Sequence, residues 1–118
     1  MNEMAHFESK QRELCGRYGC EFVGAPEDSI LGVALSTLGK FPINGLRHPV
    51  EKGTNGWYIW CGTSFDDRPD FFAPLHTSHL AEKCPVAILF LGLPPGYRFL
   101  IGENDCVDVW FDANLLRC

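Results

Sequence analysis

Hydrophobic and polar residues alternate most clearly near the C-terminal end. From Tyr97 to Ile101, Phe99 and Ile101 fall on one side and Arg98 and Leu100 on the other, which is the two-residue period of a strand. Gly102-Glu103-Asn104-Asp105 has the length and composition of a hairpin turn. Cys106 to Phe111 or Asp112 resumes the alternation, with Val107, Val109 and Phe111 set against Asp108, Trp110 and Asp112. The pattern predicts a hairpin whose outward face reads Asp-Trp-Asp, with Arg98 on the paired strand. Upstream, Ile30 to Ser36 sets Leu31, Val33 and Leu35 against Gly32, Ala34 and Ser36. That predicts a strand with one face small enough for a helix to approach closely. Trp57 to Gly62, entered through the turn Thr54-Asn55-Gly56, has aromatics on both faces and predicts a central strand covered on both sides.

Helical periodicity is weaker. Residues 2–15 place Met4, Phe7, Leu14 and Cys15 near one stripe, with Tyr18 beyond, and Glu3, Glu8, Lys10 and Arg12 elsewhere. Such a stripe docks on its own domain or on a second copy. A short helix is expected from His79 to Lys83 with Thr77 or Ser78 as N-cap. Pro85 opens another, Val86 to Leu91, which Gly92 and Pro94-Pro95 end. Ala113 to Arg117 closes as a helical turn. Two stretches read as irregular, Gly39–Gly56 and Ser64–Pro74. In the first, Asn44-Gly45-Leu46-Arg47-His48-Pro49 has the varied chemistry of a functional loop. The commoner alternative is a packed loop in which Arg47 snorkels or pairs with an acid. Together these elements predict one α+β domain over 1–118: a short antiparallel sheet of about four strands with helices packed on one face. The N-terminal helix, 1–16, stands apart from a core at 30–116.

Charge and cysteine usage narrow the function. The 118 residues carry 10 Lys+Arg against 15 Asp+Glu, a net charge of −5. Nucleic-acid binders usually show a basic face, so no nucleic-acid partner is expected. A basic protein partner would suit the charge. No segment has the ~20 apolar residues of a membrane span, so no membrane partner is expected. The acidic start lacks the apolar core of a signal peptide, so the expected location is cytoplasmic. In a reducing compartment the six cysteines, at 15, 20, 61, 84, 106 and 118, do not imply disulfides. Cys61, Cys84 and Cys106 are expected to be buried thiols. Cys15 and Cys20 form a C-x4-C spacing without a second pair, a weak metal signal.

Candidate chemistry is sparse, and no catalytic residue or cofactor is implied. His76-Thr77-Ser78-His79 puts two imidazoles on one helical face, and Asp66, Asp67 and Asp70 lie near enough in sequence to complete a metal site. A small metal-binding or metal-dependent hydrolase-like domain is therefore one reading; structural histidines are the commoner outcome. The other reading is a protein-binding surface built from Trp57 or Trp60, Phe65, Asp66, Asp67, Asp70, Asp108, Trp110 and Asp112. Tryptophans ringed by polar groups resemble interaction hot spots, although any single large aromatic is more often in the core.

Five motifs occur as a set: Asn44-Gly45-Leu46-Arg47-His48-Pro49, Gly56-Trp57-Tyr58-Ile59-Trp60, Asp70-Phe71-Phe72-Ala73-Pro74-Leu75-His76, Leu93-Pro94-Pro95-Gly96-Tyr97-Arg98-Phe99 and Asp108-Val109-Trp110-Phe111-Asp112. Over residues 30–116 they resemble a bacterial immunity-protein-like family of polymorphic toxin systems, formerly a domain of unknown function. The resemblance implies a small cytoplasmic α+β protein, not an enzyme, that binds and neutralises a cognate toxin by occluding its active site. Monomer or weak homodimer is the expected state.

Overall fold

The computed structural model describes residues 3–50, 54–63, 71–104 and 106–116, with side chains from Phe7 onward in the first helix. The order is α1 (Glu3–Arg17), β1 (Ile30–Val33), β2 (Ile43–Arg47), β3 (Trp57–Cys61), β4 (Ala73–His76), α2 (Thr77–Lys83), α3 (Pro85–Ile88), β5 (Tyr97–Ile101) and β6 (Val107–Phe111). Short 3-10 turns follow β1 at Leu35–Thr37 and β6 at Ala113–Leu116. The strands form one six-stranded sheet in the order β4-β1-β3-β2-β5-β6. β1 runs parallel to β3, and every other pair is antiparallel. The α+β class is as the sequence indicates; the sheet is mixed and has two more strands than expected.

Of the additional strands, β2 lies within a stretch that read as irregular, and β4 begins in the other and runs two residues past it. β2 lies near the centre of the sheet, between β3 and β5. Its inward positions are Ile43, Gly45 and Arg47, all buried. Gly45 faces Phe99 across the β2–β5 pair, and a Cβ on Gly45 would collide with that ring. Phe99 thus fills the space a side chain would take, and the apolar alternation vanishes from the sequence. β4 contains Pro74 and, among the described residues, pairs only with β1, as an edge strand can. Gly32, on the small face of β1, meets the rings of Tyr58 and Phe72 rather than a helix.

Register divides the sheet into two faces. Leu31, Val33, Ile43, Trp57, Ile59, Cys61, Phe99 and Ile101 share one face and one apolar cluster with Leu14 and Cys15 of α1, Leu80 of α2, and Ala87 and Ile88 of α3. The helices therefore pack on one side. Helix α1 docks here through Gln11, whose Nε2 donates to the Ile88 carbonyl at 2.7 Å, and Cys15, whose thiol donates to the Gly92 carbonyl at 3.3 Å. Its stripe serves its own core. Helix α3 ends at Ile88, shorter than the expected Val86–Leu91, and the chain continues in turns that carry Phe90 and Leu91 inward. Phe90 stacks on Phe99 with centroids 4.7 Å apart, and Trp57 donates its indole N–H to the Leu91 carbonyl at 3.0 Å.

Arg47 is 1% exposed and sits among these groups. Snorkelling does not account for it, and among the described residues its acceptors are all backbone carbonyls rather than an acid. Nε donates to Asn55 at 3.2 Å, Nη1 to Val23 at 2.6 Å, Leu93 at 2.8 Å and Leu91 at 3.4 Å, and Nη2 to Gly24 at 3.2 Å. Burial lowers its pKa from 12.5 to about 10, so it stays cationic at neutral pH. The planar fork ties the 23–24 segment, the β2–β3 connection and the turn before β5 to one strand. Asn55 extends this knot, donating Nδ2 to Ser29 Oγ and Thr77 Oγ1, both at 3.0 Å.

Arg47→Met should lower unfolding stability by about 3 kcal/mol or more, because each buried acceptor left unsatisfied costs roughly 1–3 kcal/mol. Arg47→Lys should also destabilise, since one ammonium cannot span these carbonyls. Urea denaturation measures both; a methionine variant within about 0.5 kcal/mol of the parent, the range of ordinary surface changes, would contradict the role assigned to Arg47.

Candidate functional site

The sheet face away from the helices carries Asn44 and Leu46 on β2, Tyr58 and Trp60 on β3, Arg98 and Leu100 on β5, and Asp108 and Trp110 on β6. The buried side chains of α1, α2 and α3 belong to the opposite side. This outer face is bounded on one flank by Phe72, whose ring meets Tyr58 edge-on at 5.2 Å and Trp60 at 6.2 Å. On the other flank the Leu115 carbonyl lies 3.1 Å from His48 Nδ1. Near Phe72 a cavity of about 350 Å³ opens between Gly32, Tyr58, Phe72 and Pro74.

The hairpin β5–β6 supplies the exposed part. Asp108 and Trp110 alternate outward as the sequence indicates, and Asp112 follows just beyond the strand. The Trp110 indole is 40% exposed, with the Arg98 guanidinium carbon 5.6 Å from the ring centroid. Arg98 Nη1 donates to Asp112 Oδ2 at 3.2 Å, while Asp112 Oδ1 accepts the Asn114 backbone N–H at 3.1 Å. That pair is part-buried, and it holds the arginine beneath the tryptophan. Arg98 Nε is buried and meets no acceptor among the described residues, an unusual condition for a polar atom.

The other expected contact residues are placed differently. Trp57 lies on the helix side and is 0% exposed, so its ring is core and offers no surface. Trp60 is on the outer face but is also buried. Phe65, Asp66, Asp67 and Asp70 lie outside the described residues. Tyr58, Leu46, Leu100 and Phe72 join the face without having been singled out. The parity of Leu46 and Tyr58 with Trp110 becomes readable only once β2 is recognised as a strand.

His76 and His79 are exposed, with ring centroids 5.5 Å apart. His76 itself, not Thr77 or Ser78, occupies the N-cap position of α2, and its side chain makes no capping bond. Among the described residues, no group of three or more His, Cys, Asp or Glu is placed to hold a metal ion.

Three thiols depart from ordinary chemistry. Cys15 is pushed up to about 12, chiefly by burial and then by Cys20. Cys61 and Cys84 are buried and hydrogen-bonded to each other, and a cavity of about 400 Å³ lined by Thr37, Lys40, Phe41 and Thr63 reaches Cys61. The Cys61 S–H stabilises the Cys84 thiolate and lowers that group from 9.0 to about 7, against the opposing effect of burial; Cys61 moves upward in turn. Cys106, expected to be buried, is exposed at the hairpin.

Thiolate absorbance against pH should therefore show one group ionising near pH 7. In Cys61→Ala that step should move to or above the ordinary value of 9.0, because burial remains and the donor is gone. The two proteins titrating alike would contradict the pairing.

No match to the chain is found among curated proteins or solved structures. A family model does match: that of the Imm33-like domain, over residues 10–112. The match begins inside α1 and runs through β6 to Asp112, so it takes in the whole sheet and the outer face. The chain belongs to the Imm33-like domain family.

Proposed function

We propose that this protein is a non-enzymatic immunity protein that binds a cognate bacterial toxin in the cytoplasm and neutralises it by occluding its active site. The observation that carries this reading is the family match across most of the chain. Among the described residues, no helix is long and apolar enough to cross a membrane, which agrees with action away from the bilayer.

The outer face is the proposed contact surface. Trp110 is an amphipathic anchor held against Arg98, with Asp108 and Asp112 in its surround. Central tryptophans within a polar rim dominate many interfaces. Half-buried Leu46, Tyr58 and Leu100 extend an apolar floor from that anchor. The carboxylates, within a chain of net charge −5, favour a toxin with a basic active-site groove. Asp66, Asp67, Asp70 and Phe65 are proposed to contribute to the same contact from the neighbouring segment. An acceptor delivered by the toxin near Arg98 would complete the hydrogen bonding of its guanidinium.

Co-expression with the toxic product of an adjacent gene should restore growth and yield a stoichiometric complex. Trp110→Ala should weaken that complex about 30-fold, the effect of losing ~2 kcal/mol at a hot spot. Asp108→Lys should lower the association rate and its dependence on salt. Calorimetry and stopped-flow binding read these effects. Unchanged affinity in both variants would remove this face from the interface, and failure of the wild type to protect or bind would remove the immunity reading itself.

A further inference from the structure

We infer that the outer edge of β6 is a self-association edge, and that two copies of this chain join through antiparallel β6–β6 pairing into one continuous sheet. Among the described residues, β6 ends the sheet and pairs only with β5. The bonds flanking it fix which of its backbone groups are occupied. Gly102 donates to the Cys106 carbonyl at 2.6 Å, and Asp112 donates to the Gly96 carbonyl at 2.7 Å. Antiparallel ladders alternate, so Asp108 and Trp110 also direct their N–H and C=O toward β5. Val107, Val109 and Phe111 direct theirs to the vacant side.

The opposite edge of the sheet is blunted. Thr77 donates to the Ser29 carbonyl at 2.9 Å, which sets Leu75 and Ala73 facing β1 and turns Pro74 and His76 outward. Pro74 lacks an N–H at that outward position, and proline there is a common guard against edge pairing. β6 has no such guard. It has no proline, and it exposes 40% of Val107, 40% of Trp110 and 50% of Phe111. Long apolar edges of this kind are normally covered.

The sequence of β6 fits a second copy. A two-fold axis through Val109 places Val109 against Val109 and Val107 against Phe111 on the helix side of the sheet. On the outer face it sets Trp110 opposite Asp108, with no two carboxylates directly opposed. Like charges across a strand pair destabilise it, and this register avoids them. Phe111 is already fixed in place, its ring over Gly96 and edge-on to Tyr97 at 5.4 Å. The join would bring two Trp110 anchors onto a single doubled face. The inference does not depend on the toxin reading.

Sedimentation equilibrium of the full chain over a wide concentration range tests it. The expected result is a reversible shift from 13.2 kDa to twice that mass. Val107→Pro removes an outward N–H at the first residue of the strand, where proline is tolerated. It should weaken dimerisation about tenfold or more, since symmetry deletes two interstrand bonds. Val109→Lys sets two ammoniums together at the axis and should also leave the protein monomeric, with salt partly restoring the dimer. Circular dichroism identifies any variant that has unfolded, and the other variant then decides. A wild type that stays at 13.2 kDa at the highest concentration overturns the inference, as does a dimer indifferent to the folded variants. A monomer whose toxin binding is lost in Val107→Pro would assign the edge to the toxin instead, and would equally overturn it.

Discussion

One buried guanidinium holds the parts of this fold in register. Among the described residues, Arg47 directs five hydrogen bonds to backbone carbonyls from three separate segments, and it does so from the strand that lies between β3 and β5. Burying a charge without an opposing carboxylate is costly unless dipoles replace the lost water. Here the carbonyls of Val23, Gly24, Asn55, Leu91 and Leu93 do that. They belong to chain that makes no ladder bonds of its own, so the same contacts satisfy loops that would otherwise bury unpaired acceptors. Gly45, two residues earlier, completes the arrangement by yielding its side-chain space to Phe99. The centre of the core is thus shaped by an arginine and a glycine, with Trp57, Phe90 and Phe99 packed around them.

That geometry decides what is left for a partner. The three described helices place their buried side chains on one side of the sheet, and the other side keeps an aromatic and aliphatic floor with an acidic border at β6. A sheet with one covered face and one solvated face is ordinary for antiparallel strands. What distinguishes this one is the exposed Trp110 over a pinned Arg98, beside a strand edge with vacant hydrogen-bonding groups. Both features sit at the β6 end of the sheet. The proposed toxin contact uses that end of the sheet.

The sequence made the regular parts legible and concealed the exceptional ones. β5 was readable to the residue, and β6 to within one, because their residues alternate and a hairpin turn lies between them. β3 was readable from its aromatic content. β2 was not, because Ile43, Gly45 and Arg47 form its buried face, and two of those three residues ordinarily signal a loop or a surface. β4 was hidden by Pro74, whose missing N–H matters little at a sheet edge. Both Trp57 and Trp60 looked like contact residues from composition, yet the aromatics on both faces of β3 already indicated a central strand covered on both sides, and their burial follows from that position. Asp108, Trp110 and Asp112 were placed correctly relative to Arg98, because hairpin parity depends on local sequence alone.

The most direct measurement is hydrogen exchange of the full chain, alone and saturated with the proposed toxin partner, followed peptide by peptide. The proposed contact is the outer face, so amides of β5 and β6 and of the segment leading into β4 should gain protection. Those of α1 should exchange as before, because that helix lies on the other side of the sheet. Protection confined to α1 and α2, with β5 and β6 unchanged, would contradict the account.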